Sequence, residues 1–68
     1  MNKTMLCIEI LHLLSTKNIM SKNELADILE INPRNIIEYI KTLEDCGYEI
    51  ESVRGIYGGY RLKKDSVL

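Results

Sequence analysis

The chain has 68 residues, 46% of them hydrophobic and 28% charged: enough apolar material for one small core, with no room for a separate catalytic domain. Its formal net charge of -1 excludes nucleic-acid binding through bulk positive charge, so any such binding must rest on how the charges are distributed. The cysteines, Cys7 and Cys46, are far apart with no Cys or His at metal-ligand spacing, and both are expected as buried or half-buried free thiols.

Apolar residues at Leu6, Ile10, Leu13 and Leu14, with Met5, Ile8 and Leu11 widening the stripe, recur at helical spacing and predict a first helix over about 3–15. Glu9 and His12 interrupt this run, which supports neither a signal peptide nor a membrane span, so a cytoplasmic protein is expected. His12 has no partner motif and reads as a surface or boundary histidine. After a polar turn, Ile19-Met20 is expected as a brief extended stretch beside the C-terminal hairpin.

Ser21 followed by Glu24 fits a capping box and starts a second helix, about 22–29, whose apolar face is Leu25, Ile28 and Leu29. Asn32 is a favoured N-cap and Pro33 suits the first helical position, so a third helix runs over about 33–46. Ile36, Ile40 and Leu43 give it a core face, Arg34, Asn35, Glu38 and Lys41 share the other side, and Gly47 terminates it. Beyond Gly47 the period falls to two, and Gly55 to Gly59 separate two strands in a hairpin over about 49–63. One face of that hairpin must pack on the helices, which assigns Tyr60 and Leu62 to the core. Arg54, Arg61, Lys63 and Lys64 collect around it and Glu44, Asp45, Glu49 and Glu51 just before it, suggesting a basic and an acidic edge on a near-neutral surface.

Two helices joined by about three residues cross steeply, so that one braces against a phosphate backbone while the next lies in the major groove. The N-terminal turn of the second favours a phosphate, and Asn32, Arg34 and Asn35 add donors there. Arg pairs bidentately with guanine and Asn with adenine, which makes Arg34 the first candidate. Asn35, Glu38 and Lys41 are candidates for bases or phosphates, and Ile37 for a thymine methyl. The glycine-rich hairpin, with Arg54 and Arg61 flanking it and Tyr57 near its tip, suits a DNA backbone or minor groove.

The pattern of Leu25-Ala26, Ile31-Asn32, Arg34, Ile36, Ile40, Leu43, Gly47, Ile50, Arg54-Gly55 and Gly58-Gly59-Tyr60-Arg61-Leu62 resembles the winged helix-turn-helix domains of the type-11 family. These form the N-terminal parts of DeoR-like and WYL-domain bacterial transcription regulators and of biotin ligases that double as repressors. The resemblance spans about Leu6 to Leu62, and the glycine pair before Tyr60 is most similar to the WYL-associated members. It implies an α+β winged helix-turn-helix, three helices followed by a two-stranded β-hairpin wing. It also implies sequence-specific binding of double-stranded DNA, with the third helix in the major groove and the wing on the flanking backbone or minor groove. The candidate DNA-binding residues are then Ser21, Asn32, Pro33, Arg34, Asn35, Ile37, Glu38, Lys41, Arg54, Tyr57 and Arg61. Asn32-Pro33 and Asn35 depart from the Ser, Arg and Thr common in the family.

Residues 1–68 are therefore expected to form one DNA-binding domain, either stand-alone or the N-terminal fragment of a larger regulator. Any effector would bind a domain absent from this chain. Met5, Ile8 and His12 of the first helix are a candidate surface for a homodimer. No cofactor, metal ligand set or enzymatic Ser/His/Asp arrangement is read from the sequence, and the wing glycines lack the strand-to-helix context of a nucleotide fingerprint. The alternative function is a winged-helix module that mediates protein–protein assembly without binding DNA.

Overall fold

The computed structural model of the chain describes residues 2–56 and 58–63. Helices α1 (Lys3–Thr16), α2 (Lys22–Leu29) and α3 (Pro33–Asp45) precede strands β1 (Ile50–Val53) and β2 (Gly59–Leu62), which pair antiparallel. This is the expected α+β winged helix-turn-helix.

Helix α1 opens at Asn2, whose side chain accepts a hydrogen bond from the Met5 N–H at 2.9 Å. Its buried residues are Leu6, Cys7, Ile10 and Leu14, the line that faces α3 and β2. The apolar stripe is narrower than expected, because Met5 and Ile8 point away from both neighbours and are exposed. Burial pushes the Cys7 thiol above its ordinary pKa. Cys46, by contrast, is exposed, contrary to expectation: it is the C-cap of α3, beyond the last helical residue, Asp45.

Ser21 and Glu24 form the full capping box, each side chain accepting from the other's backbone N–H at 3.1 Å. Helix α2 buries Leu25 and Ala26. Ile28, expected on the same face, lies on the far side of Leu25 from Ala26 at 100° per residue and is exposed. The helix stops at Glu30, which adopts a left-handed conformation with φ 56°, and the Ile31 N–H donates back to the Ala26 carbonyl at 3.0 Å. Asn32 then caps α3 by accepting from the Arg34 N–H at 2.9 Å, with Pro33 next. The turn between the paired helices is therefore Glu30, Ile31 and Asn32.

Helix α3 buries Ile36, Ile40 and Leu43 as expected. At its end the Gly47 N–H donates to the Glu44 carbonyl and the Tyr48 N–H to the Leu43 carbonyl, the double closure of a Schellman motif. Ile10, Leu25 and Ile36, one from each helix, are the largest fully buried side chains, and Met20 and Leu62 close the core from the strand side. Tyr60 packs against that core, half-buried, alongside Tyr48 and Ile50.

The ladder pairs Ile50 with Leu62, Glu51 with Arg61, Ser52 with Tyr60 and Val53 with Gly59. On the other edge of β2, Met20 and Tyr60 exchange two backbone hydrogen bonds of 3.1 and 2.8 Å, an antiparallel bridge. The extended stretch expected beside the hairpin thus meets it through a single-residue bridge at Met20. Gly59 permits it: a Cβ there would lie 2.4 Å from the Met20 carbonyl oxygen.

Two stability changes follow, both measurable by urea unfolding. Gly59→Ala forces backbone apart at the bridge and is expected to cost about 1–3 kcal/mol. Glu30→Gly relieves a left-handed non-glycine residue, a gain of about 1–2 kcal/mol, offset by about 0.4–1 kcal/mol of added unfolded-state entropy. A net stabilisation is expected.

Candidate nucleic-acid interface

Opposite its core face, α3 presents Arg34, Ile37, Glu38 and Lys41 at positions i, i+3, i+4 and i+7, one stripe on a helix of 3.6 residues per turn. All four are exposed, and Asn35 is half-buried at the edge of the stripe. Pro33 is half-buried in the first turn, and exposed Asn32 has its side-chain oxygen committed to capping. Ser21 is half-buried, with its backbone N–H and hydroxyl both committed to the capping box. On the wing, Arg54 is exposed and Arg61 half-buried. Tyr57, the remaining candidate, and Lys64 lie outside the described residues.

The helix is electrically polarised along its length. Arg34 stands in its first turn at the positive end of the dipole and Lys41 in its C-terminal half, while Glu44 and Asp45 stand at the negative end. An approaching polyanion meets a favourable field at the first turns and an unfavourable one at the last. Among the described residues no carboxylate pairs with Arg34, Lys41 or Arg54.

Three other cations are already engaged. The Lys3 ammonium lies 3.7 Å from a Glu38 carboxylate oxygen, so α1 offsets the one acid on the exposed stripe. Arg61 donates from Nε and Nη2 to the same Glu51 oxygen, and Lys63 lies 3.9 Å from Glu49. The separate basic and acidic edges suggested by the sequence are therefore not what forms. Folding the hairpin sets Glu51 directly opposite Arg61 and Glu49 beside Lys63, so opposite charges meet across the strands and cancel locally. These cross-strand pairs were missed although the sequence carries their signal: with Ile50 aligned to Leu62, the acids fall opposite the bases. The Lys3–Glu38 contact has no such signal, since it depends on how α1 lies against α3.

Arg61 is thus held along the wing by its own sheet, whereas Arg54, beyond the end of β1, projects without a protein counter-charge among the described residues. His12 is exposed on α1 and borders a shallow depression lined by Ile8, Leu11, Ser15, Tyr48 and Leu62. Among the described residues no group of His, Cys, Asp or Glu is placed to hold a metal ion, and no helix is long and apolar enough to cross a membrane.

A protein-family model described as an HTH domain matches residues 8–61. That span contains the later turns of α1, both paired helices and the wing as far as Arg61. No curated protein and no solved structure matches the chain.

The guanidinium of Arg61 holds the Glu51 carboxyl below its ordinary pKa. A depressed folded-state pKa stabilises the fold above the unfolded value, about 4.3 for Glu, and that contribution is lost as pH falls through the folded value. Glu51→Gln is accordingly expected to unfold at lower urea than the wild type near neutral pH, with the gap closing below about pH 4. A gap that is constant with pH would mean the ion pair does not form in solution.

Proposed function

We propose, on the premise that this chain belongs to the HTH domain family of DNA-binding domains, that it reads double-stranded DNA sequence-specifically as a bacterial transcription regulator acting in the cytoplasm. The observation that carries this reading is helix α3. It follows a three-residue turn, is exposed along one stripe, and holds Arg34 and Lys41 without carboxylate partners among the described residues.

In this account α2 braces the DNA backbone and α3 enters the major groove N-terminus first. Arg34 is the base-reading residue, suited to the O6 and N7 of guanine, and Asn35 lies at the edge of the same turn. Lys41 sits two turns further along the stripe and takes a phosphate. Glu38, balanced by Lys3, accepts from a cytosine amino group or excludes other bases. Ile37 offers an aliphatic surface to a thymine methyl. Arg54 carries the wing's contact with the flanking backbone, while Arg61, braced by Glu51, keeps the wing straight.

One domain covers one half-site. The exposed Met5 and Ile8 on α1 lie away from the core and from the reading stripe, and we assign them to pairing with a second copy, which would present two recognition helices to a two-fold operator.

The test is fluorescence anisotropy of labelled duplexes at several salt concentrations. Binding is expected to weaken as salt rises. Arg34→Ala should cost about 1–3 kcal/mol on the preferred sequence and relax the preference at one base pair. Arg54→Ala should weaken all sequences alike and lower the salt slope by about 1. Duplex binding that is absent, or insensitive to both salt and Arg34, would overturn the reading in favour of a protein-binding winged helix.

A further inference from the structure

We propose that Ile56 is an apolar wedge that the wing sets into the DNA minor groove, and that it makes the domain prefer A·T base pairs where the wing lands. This rests on the DNA-binding reading above and adds a specificity-determining residue outside the recognition helix.

Ile56 is 95% exposed, far beyond the other exposed large hydrophobics, Met5, Ile8, Ile28 and Ile37, which are each about half covered by the helix that carries them. It therefore contributes nothing to the core. Its position is also unusual for its type. The Gly58 N–H donates to the Gly55 carbonyl at 3.1 Å, so Ile56 directly follows the residue whose carbonyl closes the turn. Turn positions favour Pro, Gly, Asn, Asp and Ser, yet an isoleucine stands here. A stiff β-branched side chain at a turn apex has no local structural use.

The apex is also aimed. A Cβ on Gly58 would lie 2.2 Å from the Val53 carbonyl oxygen, so the turn is folded hard onto the end of β1, and β2 is bonded on both edges, to β1 and to Met20. Ile56 thus stands at the end of a braced projection. Arg54, exposed and without a carboxylate partner among the described residues, sits two positions before it in the chain.

An isoleucine offers no hydrogen bond, so its only means of discrimination is shape. In the minor groove a G·C pair carries the guanine N2 amino group, and an A·T pair leaves that floor open. Aliphatic side chains inserted at minor-groove base steps are an established way of exploiting that space, favoured where pyrimidine–purine steps such as TA open easily.

The experiment uses duplexes that share the major-groove sequence the domain selects and differ only under the wing, where they carry A·T, G·C or inosine·C pairs. Inosine·C presents the major-groove edge of G·C but lacks the minor-groove amino group. The wild type is expected to bind the A·T and inosine·C duplexes alike and the G·C duplex on the order of tenfold more weakly. Ile56→Ser should bind all three alike, Ile56→Leu should keep the discrimination, and Arg34→Ala should weaken all three without altering it. If inosine·C behaves as G·C, or Ile56→Ser retains the wild-type ratios while Arg34→Ala still weakens binding, the wedge is wrong and the DNA reading survives. If the wild type binds no duplex, the DNA reading and the wedge fall together.

Discussion

The two backbone hydrogen bonds between Met20 and Tyr60 are the constraint on which the rest of this small structure depends. A two-stranded hairpin is marginal alone in water, and here the added bridge makes its second strand an inner one. The same bridge fixes the start of the helix pair, because Ser21, the N-cap of α2, directly follows Met20. One contact therefore sets the base of the wing and the entry into the helix-turn-helix together. Its condition is a glycine at position 59, where the Met20 carbonyl approaches too closely for any side chain.

From that anchor the chain is placed by local chemistry. The Ser21–Glu24 box aims α2, the left-handed Glu30 stops it, and the Asn32 cap with Pro33 launches α3 three residues later. Ile10, Leu25 and Ile36 lock the three helices at one point. With Ile36, Ile40 and Leu43 pinned inward, helical periodicity leaves Arg34, Ile37, Glu38 and Lys41 no direction but outward. A net charge of -1 is no obstacle to a cationic reading edge, because Glu38, Glu49 and Glu51 are each matched by a nearby Lys or Arg while Arg34, Lys41 and Arg54 stay without a carboxylate partner among the described residues.

Much of this was legible in the sequence because it rests on short-range rules. Capping at Ser21 and Asn32, termination at Gly47 and the buried faces of α3 and β2 depend on residues within a few positions of one another. The extended Ile19-Met20 stretch was legible too, since two apolar residues between polar segments needed cover. What was not legible depends on packing between elements. Met5, Ile8 and Ile28 have helical spacing suited to a core, yet a three-helix domain covers only one narrow side of α1 and α2. The charges around the hairpin looked segregated along the chain and proved paired across it, because strand register, not sequence distance, decides which side chains meet. The candidate reading residues were found by position on α3, but nothing local showed that Arg61 is held by Glu51 while Arg54 is left exposed.

The most direct test of the central claim, that α3 and the wing together form a DNA-reading surface, is a titration of isotope-labelled protein with duplex DNA followed by backbone amide chemical shifts. The account predicts that the largest changes fall on residues 32–41 and 54–59, with α1 residues such as Met5 and Ile8 unaffected by the DNA itself. Changes confined to α1 and the depression beside His12, or none at any salt concentration, would contradict it.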